Sequence, residues 1–85
     1  MEASKDDKIK VLVLDDEADF LELCQEFFGR EEGLDVDLVS SPTKALDMLG
    51  SDDYQVIVSD HNLPGMDGLQ FMRAMRSLRK IPFIL

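Results

Sequence analysis

The sequence predicts an α/β fold, a parallel sheet with helices on both faces, and three observations carry that prediction. Four strand-like segments alternate with three segments of helical periodicity, in the order βαβαβαβ. The connections are short, so successive strands run parallel and are joined by right-handed crossover helices. One strand-like segment alternates apolar with acidic residues, whereas two others are almost wholly apolar, which separates an edge strand from central ones.

Each element has its own signal. Residues 9–14, Ile-Lys-Val-Leu-Val-Leu, form a near-continuous apolar run, as expected of a strand covered on both faces. Over residues 17–30, Phe20, Cys24, Phe27 and Phe28 recur at helical spacing, joined by Leu21. Gly29 and Gly33 flank the turn that ends this helix. Leu34, Val36 and Leu38 then alternate with Asp35 and Asp37, the mark of a strand with one wet face. Ser41 and Pro42 suit an N-cap and a first helical turn. Ala45, Leu46 and Leu49 supply the buried side of that helix, and residues 50–53 end it. Residues 55–59 are a further buried strand. The stretch from Asp60 to Gly68 reads as a loop, with Asp67 placed to cap a third helix. In that helix Leu69, Met72 and Met75 are expected to face inward beside Phe71 and Leu78. Ile81 to Leu85 begin a fourth strand. An edge-like second strand and apolar first and third strands favour the spatial order 2-1-3-4, the flavodoxin-like arrangement.

Composition bounds the function. The chain has 85 residues, enough for one domain, and its 45% apolar and 32% charged content is that of a folded globular protein. A net charge of −9 argues against nucleic-acid binding by this segment, since such binding rests on Lys and Arg neutralising phosphates. Cys24 is the single cysteine, so no internal disulfide forms, and a reducing cytoplasm is the expected location. No apolar run approaches the roughly 20 residues of a membrane span. Residues 1–8 are polar and lack the apolar core of a signal peptide; they are expected to be a mobile leader, with the domain over residues 9–85.

The chemistry lies where two strands end. The first apolar run stops at Asp15-Asp16-Glu17, and the third stops at Asp60. In an open parallel sheet, ligands bind outside the carboxyl ends of the strands, at the switch point of the strand order. With the first and third strands adjacent, Asp15, Asp16 and Asp60 converge. Carboxylates held that close repel one another, and a hard, oxygen-seeking cation such as Mg²⁺ offsets the repulsion.

Residues 11–17, Val-Leu-Val-Leu-Asp-Asp-Glu, and residues 58–68, Val-Ser-Asp-His-Asn-Leu-Pro-Gly-Met-Asp-Gly, resemble the two leading signatures of response-regulator receiver domains. The resemblance runs from about Lys8 to Leu85 and implies a CheY-like fold. It implies that Asp60 accepts a phosphoryl group and that Asp15 and Asp16 hold Mg²⁺, with Asn62 adding its backbone carbonyl. It also implies a sensor histidine kinase or phosphotransfer protein as donor, and a fused or separate output domain. The module would take part in its own phosphorylation without being a turnover enzyme. Three family elements are not found in these residues: a Ser or Thr ending the fourth strand, a Lys ending a fifth, and the last helices. Lys80 precedes the fourth strand and cannot replace that Lys. The chain is therefore expected to be the N-terminal part of a longer polypeptide or to be completed by another chain, and the isolated segment to be poorly stable or to self-associate through its open sheet edge.

Other readings compete at each position. Asp16 could cap the first helix, with Asp19 three residues on. Glu17 reads as a first-turn acid favoured by the helix dipole. His61 reads as a neighbour that points away from Asp60 or covers it. Cys24, Phe27, Phe28, Met72 and Met75 read as core. Among functions, a Mg²⁺-dependent phosphohydrolase of the haloacid-dehalogenase type would need a second Asp two positions after its nucleophile. Asp15 is followed there by Glu17, and Asp60 by Asn62. A receiver-like interaction module that is never phosphorylated is the other alternative.

Overall fold

The computed structural model describes residues 8–63, 65–78 and 80–84. Of the expected leader only Lys8 falls within them, and Pro64 and Leu85 lie outside. Strands β1 (Ile9–Leu14), β2 (Leu34–Val39), β3 (Val56–Ser59) and β6 (Phe83–Ile84) form a parallel sheet in the order β2-β1-β3-β6. This is the predicted order, with β6 as its fourth strand. Helices α1 (Ala18–Phe28), α2 (Pro42–Ser51) and α3 (Gly68–Arg76) connect the strands, and a short antiparallel pair, β4 (Asn62–Leu63) and β5 (Met66–Asp67), precedes α3.

Alternation along β1 divides the core. Leu12 and Leu14 point to one face, where they join Ala45 and Leu49 of α2, Phe71 and Met75 of α3, and Ile57, all fully buried. Val13 points to the other face, which α1 covers through Cys24. Helix ends follow the chemistry of their residues. The Ser41 hydroxyl accepts from the Lys44 N–H at 3.3 Å with Pro42 in the first turn. Asp67 accepts from the Gln70 N–H at 2.8 Å, and the Gln70 side chain accepts from the Asp67 N–H at 3.0 Å, a reciprocal capping box.

Several expectations change. Phe20, Phe27 and Phe28 are not core: they are 40%, 64% and 37% exposed. The apolar arc of α1 is wider than the strip of sheet it covers, so only Cys24 at its centre is enclosed. In α3 the inward residues are Gly68, Phe71 and Met75, whereas Leu69 and Leu78 face out and Met72 is half-buried. Packing against α2 as well as the sheet rotates the buried stripe onto Phe71 and Met75. The stretch after Asp60 is not wholly loop. Gly65, with φ +73°, sits where other residues are strained, and Leu63 pairs with Met66 around it. Helix α2 runs through Gly50 to Ser51, one residue before its Asp52 C-cap.

The wet side of β2 is also used. The Tyr54 hydroxyl, on a side chain only 3% exposed, donates to Asp37 Oδ2 at 2.5 Å. Lys10 Nζ lies 5.1 Å from the centre of the Tyr54 ring and 3.8 Å from Asp52. Burial and then the Asp37 carboxylate push the Tyr54 pKa upward. A raised folded-state pKa contributes stability that is present below the ordinary tyrosine value of about 10 and is lost as pH climbs through the folded value. Tyr54→Phe is therefore expected to cost about 2 kcal/mol at neutral pH, since a hydrogen bond to a charged group is lost. It should also remove part of the alkaline loss of stability, as read from urea melts at pH 8 and above.

Candidate functional site

The site is built by strand register. Leu14 of β1 pairs with Val39 on one side and Ser59 on the other. The next residues continue the ladder: the Asp15 N–H donates to the Val39 carbonyl at 3.1 Å, and the Asp60 N–H to the Leu14 carbonyl at 2.9 Å. Asp15 and Asp60 thus leave adjacent strands at the same level, with Asp16 beside them. Each of the three offers a carboxylate oxygen, and these atoms lie within 4.8 Å of one another. Asp15 and Asp60 are half-buried and Asp16 is exposed, so the cluster opens to solvent.

Backbone N–H groups hold two of the carboxylates. Asp15 Oδ1 accepts from the Glu17 N–H at 2.9 Å, and Asp60 Oδ1 from the His61 N–H at 2.7 Å. The His61 carbonyl accepts from the Gly68 N–H at 2.8 Å, which closes the loop beneath Asp60. Ser59 is 3% exposed, and its hydroxyl donates to the Asp60 carbonyl at 3.0 Å. Asp60 Oδ2 accepts no hydrogen bond among the described residues.

The capping alternative for Asp16 is not what the structure shows. Glu17 occupies the N-cap position of α1, and no side chain caps the helix. Asp16 is left facing the cluster, and Asp19 lies in the first turn. Asn62 begins β4 with an exposed side chain, two residues beyond Asp60. The His61 side chain is exposed, and its contribution is the backbone bond to Asp60. Sequence reasoning did not find the roles of Ser59 or of the His61 N–H, because neither leaves a pattern in residue type. Cys24 lies on the sheet-facing side of α1, where burial and then the charge of Asp15 raise its thiol pKa, so the thiol stays protonated.

The family model for the response regulator receiver domain matches residues 11–85. The chain belongs to the response-regulator receiver family. Among curated relatives, this receiver domain is 32% identical over 78 residues to a protein-glutamate methylesterase/protein-glutamine glutaminase of Chromobacterium violaceum. The match covers 91% of this chain and 22% of that protein. Among solved structures it is similar to the receiver domain of the Francisella response regulator 1452, with a TM-score of 0.74 and 28% identity. That match spans 82% of this chain and 57% of the other. The chemotaxis response regulator CheY4 of Vibrio cholerae is similar too, with a TM-score of 0.75 and 29% identity over 81% of this chain and 57% of that one. The receiver thus spans less than two thirds of the length of these relatives. Receiver domains are signalling modules, and the match to the methylesterase covers too little of it to carry its activity across. Among the described residues, no helix is long and apolar enough to cross a membrane.

Two unit charges about 5 Å apart repel by about 1 kcal/mol even in water-like surroundings. Asp16→Asn is therefore expected to raise the thermal midpoint of the receiver in a chelating buffer, because it removes one of three clustered charges. A lower midpoint would mean that the carboxylates are held by something other than the geometry described.

Proposed function

We propose that Asp60 is the phosphoacceptor of this receiver, and that Asp15, Asp16 and Asp60 hold Mg²⁺ together with the Asn62 backbone carbonyl. The donor is a sensor histidine kinase or phosphotransfer protein in the cytoplasm, and the phosphorylated receiver controls an attached or separate output domain. The observation that supports this most is the meeting of three carboxylates at the ends of β1 and β3. The donor set fits the ion: all of it is oxygen, as a hard divalent cation prefers. No lysine or arginine forms an ion pair with these carboxylates among the described residues, so their charge is left for a cation to balance.

Bound Mg²⁺ would supply charge neutralisation, allowing an anionic carboxylate to approach an anionic phosphoryl group. The chain's own groups do the rest. The His61 N–H fixes Asp60 Oδ1, which leaves Oδ2 as the attacking oxygen. An Oδ2–P bond forms as the P–N bond of the phosphohistidine donor breaks, and the imidazole nitrogen keeps the electron pair and takes up a proton. The product is an acyl phosphate in a site open to solvent, so water can later cleave it, which suits a reversible signal. The phosphohydrolase alternative gains nothing from the structure: Glu17 is exposed and follows Asp15 into α1, and Asn62 stands two residues after Asp60.

Incubation with acetyl phosphate and Mg²⁺, followed by intact-mass spectrometry, tests the proposal. One labile phosphoryl adduct is expected, absent from Asp60→Ala and from a sample in chelator. An equal adduct on Asp60→Ala would displace the acceptor. A folded, Mg²⁺-binding chain that takes no label would favour the unphosphorylated interaction module.

A further inference from the structure

Ser59 ends β3 with its side chain on the sheet face that α2 and α3 cover. It pairs with Leu14, and Ile57 two residues earlier pairs with Leu12; these three apolar neighbours are fully buried. Ser59 itself is 3% exposed. A hydroxyl taken out of water costs free energy unless it is hydrogen-bonded. An alanine would fill nearly the same space with no polar atom to satisfy, so packing alone does not call for a serine here. Among the described residues the hydroxyl has one partner: it donates to the Asp60 carbonyl at 3.0 Å.

That carbonyl has left the sheet. The Asp60 N–H still donates to the Leu14 carbonyl at 2.9 Å, the rung that follows the Leu14–Ser59 pair. No backbone N–H donates to the Asp60 carbonyl among the described residues, so Ser59 supplies its donor. The consequence runs through one rigid group. A peptide unit is planar and trans, and its C=O and N–H point in opposite directions. The Asp60 carbonyl and the His61 N–H belong to the same unit. Holding the carbonyl on the core side therefore turns the His61 N–H to the other side, where it donates to Asp60 Oδ1 at 2.7 Å.

We propose that Ser59 is a positioning residue for phosphoryl transfer: its hydroxyl fixes the Asp60–His61 peptide plane, through which the His61 N–H holds Asp60 Oδ1 and leaves Oδ2 to attack. This rests on the reading of Asp60 as the phosphoacceptor. Ser59 is buried and acts through the peptide, not on the phosphoryl donor. Without its hydroxyl the peptide can turn, and the His61 N–H no longer holds Oδ1. The carboxylate then samples orientations of which few aim an oxygen at phosphorus. The loss falls on the rate of transfer from bound donor and not on the affinity for that donor.

The test compares Ser59→Ala, Ser59→Thr and Ile57→Val in the full-length chain. Ile57→Val trims a fully buried side chain on the same strand and face but keeps the hydroxyl. Two quantities are read: the His61 amide resonance in heteronuclear NMR spectra without any phosphoryl donor, and the rate of labelling by acetyl phosphate with Mg²⁺ across donor concentrations. Ser59→Ala should shift the His61 amide upfield and slow labelling at saturating donor about tenfold, while the half-saturating donor concentration changes less than about twofold. Ser59→Thr, which returns the hydroxyl, should restore both, and Ile57→Val should leave both unchanged. A Ser59→Ala chain that keeps either the His61 amide position or the native rate would overturn the proposal. So would Ile57→Val slowing labelling as much as Ser59→Ala, since the effect would then be one of core stability. Asp60→Ala separates this proposal from the reading beneath it. Label retained there overturns the acceptor assignment; label lost there, with Ser59→Ala at the native rate, overturns the positioning role alone.

Discussion

The parallel register between β1 and β3 is the constraint on which the rest depends. Leu14 opposite Ser59 fixes Asp15 opposite Asp60, and no side-chain interaction is needed to bring the two together. A slip of one residue would send one carboxylate to the opposite face of the sheet and turn Leu12 and Leu14 out of the core. Burial of Leu12, Leu14 and Ile57 against α2 and α3 therefore guards the site as well as the fold. Packing energy, which is large and non-directional, holds a geometry whose own electrostatics are unfavourable. Each carboxylate near another resists the arrangement, and the core outweighs that resistance.

The two ends of the sheet are treated differently. At the carboxyl ends of the strands, backbone N–H groups of Glu17 and His61 hold carboxylates that keep free oxygens and face solvent. At the other end, Tyr54 closes on Asp37 while Lys10 lies over the ring and beside Asp52. There the acids are matched by donors and a cation. Acidic residues at one end are paired with donors, whereas at the other three carboxylates stand together with no ion pair among the described residues.

Much of this was legible in the residues. The apolar runs at 9–14 and 56–59 gave central strands, and the Asp-rich alternation at 34–39 gave an edge strand. Strand order then followed, and with it the convergence of Asp15, Asp16 and Asp60. Caps at Ser41 and Asp67 could be read because they depend on residue type and spacing alone. What escaped was partner-dependent. Periodicity identifies the apolar face of a helix but not how much of that face a neighbour covers, so Phe27 and Leu69 were expected inside and lie outside. The two-residue strands β4 and β5 are too short to show a period. Asp37 looked like a solvent-facing edge residue, because nothing in the sequence announces that Tyr54 reaches across to it.

Paramagnetic line broadening tests the central claim most directly, with Mn²⁺ as the probe for a hard divalent cation at the register-built carboxylate cluster. Amide resonances of residues 15–17 and 60–61 should broaden first at low Mn²⁺, and excess Mg²⁺ should restore them. Broadening centred elsewhere, for example on Glu31 and Glu32 or on Asp52 and Asp53, would contradict the account. So would a cluster that remains unaffected while the protein is folded.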